Sequence, residues 1–182
     1  IRDRSRWLEV RRGLVRSTGN IILQKSIPVE SSDNAGTLHD KLSVLGSQTV
    51  LETVKLIESG KYSLQNQDDS LATKAPKIFK DDCRINWNQK SDIIFNFIRG
   101  LSPYPAAFSF LQNKQIKIFS SALTSLPSTG LPGVVSIIQN KLFVNTLDYL
   151  LEIRELQLEG KKRISSSDFI NGLQSQIDLF FE

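Results

Sequence analysis

The chain is poor in the residues that build covalent staples, metal cages and acid-base machinery. Its one cysteine, Cys83, cannot close an intrachain disulfide, and with a single histidine, His39, no Cys/His spacing suits zinc. No metal site is expected, and packing and hydrogen bonding must hold the fold. No apolar run approaches the roughly 20 residues that cross a bilayer. The Arg-rich opening, Arg2 to Arg16, lacks the apolar stretch that follows the basic start of a secretion signal. A cytoplasmic protein without a membrane partner is the expectation. Also missing are G-x-G-x-x-G, Walker A and G-x-S-x-G patterns, which removes local support for a nucleotide cofactor or a serine hydrolase.

What is present suffices for a packed fold: 40% of the 182 residues are hydrophobic and 23% charged. That length allows one compact unit, or one domain of roughly 100 residues plus a remnant. The formal charge of +4 invites a nucleic-acid partner. Residues 1–30, however, carry seven Lys/Arg against three acids, whereas 84–182 carry ten against eight. Much of the excess lies in the first 16 residues, an arm with no clear apolar period.

From Asn20 the pattern sharpens. Ile21-Ile22-Leu23, followed by Ile27-Pro28-Val29, predicts a strand over about 21–27. Asp33-Asn34-Ala35-Gly36 is turn chemistry, and Thr37 with Asp40 matches a capping box ahead of a helix. Leu38, Leu42, Leu45, Val50, Val54 and Ile57 give that helix one apolar stripe, closed by Gly60. Residues 61–83 mix polar residues with scattered apolar ones and suit a linker. Ile93, Ile94, Phe97, Ile98 and Leu101 form a second helical stripe, ended by Gly100 and Ser102-Pro103-Tyr104-Pro105. Five short β runs follow at 107–111, 115–121, 133–138, 141–145 and 150–158, with turns at Gln112-Asn113 and Gln139-Asn140. So many short strands suggest a small barrel. After Gly160, Ser165 with Asp168 caps a closing helix through Phe169, Ile170 and Leu173. The expected core is Ile85, Trp87, Ile94, Phe97, Ile98, Phe108, Ile118 and Val135.

Catalytic chemistry is scarce. His39 lies in the first turn of its helix, a place that suits local hydrogen bonding. Asp68-Asp69 and Asp81-Asp82 sit in polar segments and read as solvated loop charges. Lys161-Lys162-Arg163, between a glycine and a capped helix, is the densest basic cluster on a folded segment and suits either a solvated turn or phosphate contact. Lys74, Lys77 and Lys80 recur every three residues through the linker. Trp7 and Trp87 have the faces for base stacking, although Trp87 beside Ile85 fits a core.

Four separated stretches carry a resemblance. They are Gly36-Thr37-Leu38-His39-Asp40-Lys41-Leu42, then 71–78 (LATKAPKI), then Arg84-Ile85-Asn86-Trp87, then Ile98-Arg99-Gly100-Leu101-Ser102-Pro103-Tyr104-Pro105. In order and spacing they resemble the second half of the methionyl-tRNA formyltransferase family, from about Thr18 to Leu173. Sugar-nucleotide formyltransferases share much of this, but the ending, Leu156 to Ser165 with Asp168-Phe169, resembles the tRNA enzyme. The resemblance implies an α+β chain: a strand-helix remnant of a Rossmann-like formyltransferase domain (18–60), a linker (61–83), and an OB-like β-barrel with flanking helices that docks initiator tRNA (84–182). It implies 10-formyltetrahydrofolate as the family's cosubstrate, none of it bound by this chain. The family's Asn-x-His motif and folate loop have no counterpart here, and Ser17 stands where its catalytic aspartate is expected, so no catalytic residue is assigned and the chain alone is expected to be inactive. Residues 1–17 match nothing in the family. By position, Lys77, Lys80, Lys161, Lys162 and Arg163 are the candidates for tRNA phosphate contact. The remnant helix, lacking its sheet, is expected to be disordered, to self-associate or to pair with another copy. A sugar-nucleotide formyltransferase fragment and a free-standing RNA-binding module are the alternatives.

Overall fold

The computed structural model describes residues 19–71, 73, 75–173 and 179–181. The expected arm at 1–17, Ser17 included, lies outside the described residues. Two compact units divide the chain: the first runs to Asp33 and resumes over Thr37–Ile78, and the second holds Asn34–Gly36 and Phe79 onward.

A long helix, α1 (Ala35–Ser59), belongs to the first unit from Thr37 on and begins two residues before the expected cap. Thr37 is therefore inside the helix, and its hydroxyl donates to Asp33 Oδ1 at 3.1 Å. Asp33 is the organising group, because its buried carboxylate also accepts from Lys41 Nζ at 2.7 Å and from the Glu30 N–H at 2.9 Å. A carboxylate has two oxygens to offer the first turns, so it satisfies more donors there than the Thr37 hydroxyl can. The helix ends as expected at Gly60, whose φ of +65° allows the Gly60 N–H to reach Ile57 O and the Lys61 N–H to reach Leu56 O. Its apolar stripe stays open: Leu42, Val50, Val54 and Ile57 are between 37% and 62% exposed. The segment is thus an ordered helix, not the disordered one among the expected outcomes.

The expected strand at 21–27 does not form. Ile21 makes one isolated bridge to Gln65, with N–H to O distances of 2.8 and 2.9 Å in the two directions. A β-branched run becomes a strand only where a neighbour takes its N–H and C=O groups along its length, and among the described residues only Ile21 has one. Leu23 instead lines a groove of about 490 Å³ with Leu42, Leu45, Val50 and Val54.

The second unit is a mixed helix and antiparallel-sheet fold. Helix α2 (Ser91–Leu101) buries Ile94, Ile98 and Leu101. Those positions recur at four- and three-residue steps, one face of a helix. Ile93, expected on that stripe, is 49% exposed, and the helix runs through Gly100 instead of stopping there. No neighbouring side chain caps α2; Asp148, far along the chain, accepts from the Ser91 N–H at 2.8 Å.

The strands are β1 (Ala107–Leu111), β2 (Lys114–Pro127), β3 (Val135–Ile138), β4 (Lys141–Val144), β5 (Tyr149–Leu158) and β6 (Ile164–Ser165), followed by α3 (Ser166–Asn171). They form one sheet in the order β1-β2-β5-β4-β3, with β6 on β5. Both expected turns are two-residue hairpin loops: Gln112 and Asn113 have φ of 50° and 64°, and Gln139 and Asn140 have 50° and 60°. Two positive φ values in sequence match the twist of the flanking strands. β2 runs six residues past its expected end at Ser121, because register irregularities between Ile118 and Ser121 break the alternation on which the reading rested. Ile116, Ile118, Leu142, Val144, Leu151, Ile153 and Leu156 are fully buried. Of the expected core, Ile85, Trp87, Ile94, Ile98, Phe108 and Ile118 are buried, whereas Phe97 and Val135 are half-buried.

Among the described residues β1 and β3, the ends of the path, do not pair with each other, so the ladder alone does not make the expected closed barrel. A short terminal segment reaches both edges. Phe181 bridges Leu111 and Phe180 bridges Val134, while the Val135 N–H donates to Leu179 O and the Phe181 N–H to Gly133 O, each at 2.9 Å. The Phe181 ring is buried 5.7 Å from that of Trp87, whose indole N–H donates to Ser109 Oγ at 3.0 Å.

Two outcomes are expected. Gly133 has a φ of +93°, and a Cβ there would lie 2.4 Å from Phe181 O. Gly133→Ala should therefore cost about 1–3 kcal/mol in urea unfolding, and an unchanged midpoint would contradict the role of the terminal segment. The Lys41 hydrogen bond, then the Glu30 N–H, hold the Asp33 carboxyl below its ordinary value despite burial. Its contribution to folding is whole above about pH 4, where the unfolded carboxyl is ionised too. It fades as pH falls through the lower folded value. Helicity followed by circular dichroism should show an acid-side loss that Asp33→Asn abolishes.

Candidate nucleic-acid interface

The densest cations sit in the turn between β5 and β6. The turn is fixed by backbone bonds: the Glu159 N–H donates to Gln115 O and the Lys161 N–H to Leu158 O, each at 3.0 Å, and Gly160 has a φ of +71°. Gln157 Nε2 adds a 2.7 Å bond to Lys161 O. Beyond the turn, Ile164 and Ser165 pair back onto Leu156 and Glu155. Ser165 then accepts the Asp168 N–H at 3.1 Å, the expected cap of α3. Lys161, Lys162 and Arg163 are consequently displayed together, and all three are exposed.

They are not equivalent. Arg163 forms an ion pair with Glu155, and its guanidinium lies 4.4 Å from the centroid of the Phe119 ring. No ion pair is formed by the side chain of Lys161 or Lys162 among the described residues. Two strongly hydrated ammonium groups therefore stand beside one braced guanidinium. Sequence spacing gave no sign of the brace, since Phe119 is 44 positions away and meets Arg163 only through the β2–β5 pairing.

The other candidates are not part of this turn. Lys77 is exposed near the end of the first unit. Lys80 is exposed in the second unit, just before a short 3-10 turn (Asp81–Cys83) that sets two acids beside it. His39 is exposed with Nδ1 3.2 Å from Asp40 Oδ1, the local contact expected of it. The Ser70 hydroxyl and N–H donate to Asp68 and lower its pKa. Burial, helped by Asp82, pushes the Cys83 thiol up, away from the thiolate a nucleophile needs. No cluster of His, Cys, Asp or Glu suited to a metal occurs among the described residues, nor is any described helix long and apolar enough to cross a membrane.

The family described as formyl transferase, C-terminal domain, matches residues 77–174, more than half of the chain. The chain belongs to that family. A methionyl-tRNA formyltransferase from Chlorobium phaeovibrioides is 41% identical over 167 residues, covering 90% of this chain and 52% of the relative. This formyl transferase C-terminal domain chain thus spans about half the length of the curated relatives it matches. A variant of HypX from Aquifex aeolicus superposes with a TM-score of 0.63 at 18% identity, over 91% of this chain and 32% of HypX. WlaRD, a sugar 3N-formyl transferase, does so with a TM-score of 0.54 at 23% identity, over 80% and 51%. At such identities these structures share the fold.

Because the Arg163–Glu155 pair is exposed, it should contribute little to stability. Glu155→Gln is expected to shift thermal unfolding by no more than about 1 kcal/mol; a much larger loss would mean that the pair holds the fold and not merely the guanidinium.

Proposed function

We propose that this chain is the tRNA-docking part of a methionyl-tRNA formyltransferase, and that the whole enzyme transfers a formyl group from 10-formyltetrahydrofolate to the amino group of methionyl initiator tRNA. The observation that carries the reading is the 41% identity to such an enzyme across 90% of this chain. The division follows: 18–60 as the remnant of a catalytic domain, 61–83 as a linker, 84–182 as an OB-like docking domain. Support for the OB-like form comes from the terminal segment, which meets both sheet edges, through Leu111 and Val134. The catalytic residues belong to a segment this chain does not carry, the setting is cytoplasmic, and the chain alone does not turn over.

Lys161 and Lys162 supply the main phosphate contacts, with Arg163 beside them and Lys77 and Lys80 as further cations. Phosphate contacts orient an RNA without reading its sequence, which suits a domain that seats a substrate for chemistry elsewhere. The open stripe of α1 takes a second copy when no sheet covers it. A sugar-nucleotide formyltransferase reading has weaker support, namely a likeness of fold to WlaRD at 23% identity.

Titrating the full chain with initiator tRNA at several salt concentrations tests the reading. Lys161→Glu with Lys162→Glu should weaken binding roughly tenfold to a hundredfold near 0.1 M salt and flatten the salt slope by about one per lost contact. Unchanged affinity would remove the docking role. Turnover of methionyl-tRNA by the purified chain would overturn the assignment of catalysis to a missing segment.

A further inference from the structure

The outer face of the β1–β2–β5 part of the sheet carries aromatic rings and cations together. Ile116, Ile118 and Leu156 point into the core, so Lys117 and Gln157, which pair directly across the ladder, lie on the opposite side. Phe108 pairs with Lys117 and Phe110 with Gln115 on that same side, Phe108 buried and Phe110 half-buried there. Phe108 and Phe110 meet edge to face with centroids 5.7 Å apart, and the Arg84 guanidinium lies 5.3 Å from the Phe110 centroid. Phe119, at the irregularity after Ile118, is half-buried and carries Arg163 at 4.4 Å. Acids near this region are Glu155, already paired with Arg163, Glu159 in the turn, and Asp81 and Asp82 in the short turn just before Arg84.

A guanidinium set against a ring has one plane occupied and the other open, and its orientation is fixed before any ligand arrives. Base faces are hidden inside a paired RNA helix but open in unpaired nucleotides, which stack on aromatic rings and on Arg planes. We propose that this face is a stacking surface for unpaired nucleotides of an RNA. Arg163 backed by Phe119 and Arg84 backed by Phe110 supply the planes, and Lys117 a phosphate contact. The inference rests on the docking reading only in taking RNA as the partner. It gives Arg163 a task different from that of the two lysines beside it.

Fluorescence anisotropy of the full chain, using a labelled oligouridylate of about 10 nucleotides and a blunt RNA duplex of the same length, tests it. The oligouridylate should bind more tightly than the duplex. Arg163→Lys and, separately, Arg84→Lys keep the charge and remove the plane. Each should weaken oligouridylate binding on the order of tenfold, with the salt slope and the thermal unfolding curve unchanged. Equal affinity for strand and duplex, or unchanged binding by both variants, overturns the stacking surface. If initiator tRNA still binds in that case, the docking reading stands; if no RNA binds the chain, both fall.

Discussion

The antiparallel pairing of β2 with β5 is the interaction on which the second unit depends. It runs from Ile116 opposite Leu158 to Pro127 opposite Tyr149. Its inner row, Ile116, Ile118, Leu151, Ile153 and Leu156, forms much of the fully buried core. Its outer row brings Phe119 to Arg163, and its end sets the turn that displays Lys161 and Lys162. A one-residue slip would exchange the two rows, exposing the core residues of the slipped strand and moving the turn that follows β5. The register that stabilises the sheet thus also places the candidate interface.

The two amphipathic helices show what a partner surface does. α2 has its apolar face against the sheet, with Ile94 and Ile98 almost completely buried, and its N-terminus is held by Asp148. α1 is longer, its first turns are tied to Asp33 through the Thr37 hydroxyl and Lys41 and its end is closed at Gly60, yet none of its residues is buried within the described structure. Local contacts mark where a helix starts and stops, while most of its stability comes from packing its stripe on another surface.

Local signals were legible, and distant ones were not. The Gln-Asn pairs at 112–113 and 139–140 marked both hairpins, because two adjacent residues carry the left-handed backbone that the turn requires. Ser165 and Gly60 marked helix ends through contacts within a few residues. The apolar run at 21–27 misled, since a strand is made by its neighbours as much as by its own side chains. Phe181, buried against Trp87, carries no periodic pattern that would mark it. The basic turn at 161–163 could be found by charge density, but the difference between Arg163 and the two lysines could not. It arises from Glu155 and Phe119, which only the folded sheet brings within reach.

The central claim is that the turn after β5, with the adjoining outer face of β2, is where RNA meets this domain. Hydrogen–deuterium exchange of the full chain with and without initiator tRNA tests it most directly, because it locates contact without altering a residue. The account predicts slowed exchange at 159–163 and at 115–119. Binding that leaves both segments unchanged and protects only residues elsewhere would contradict it.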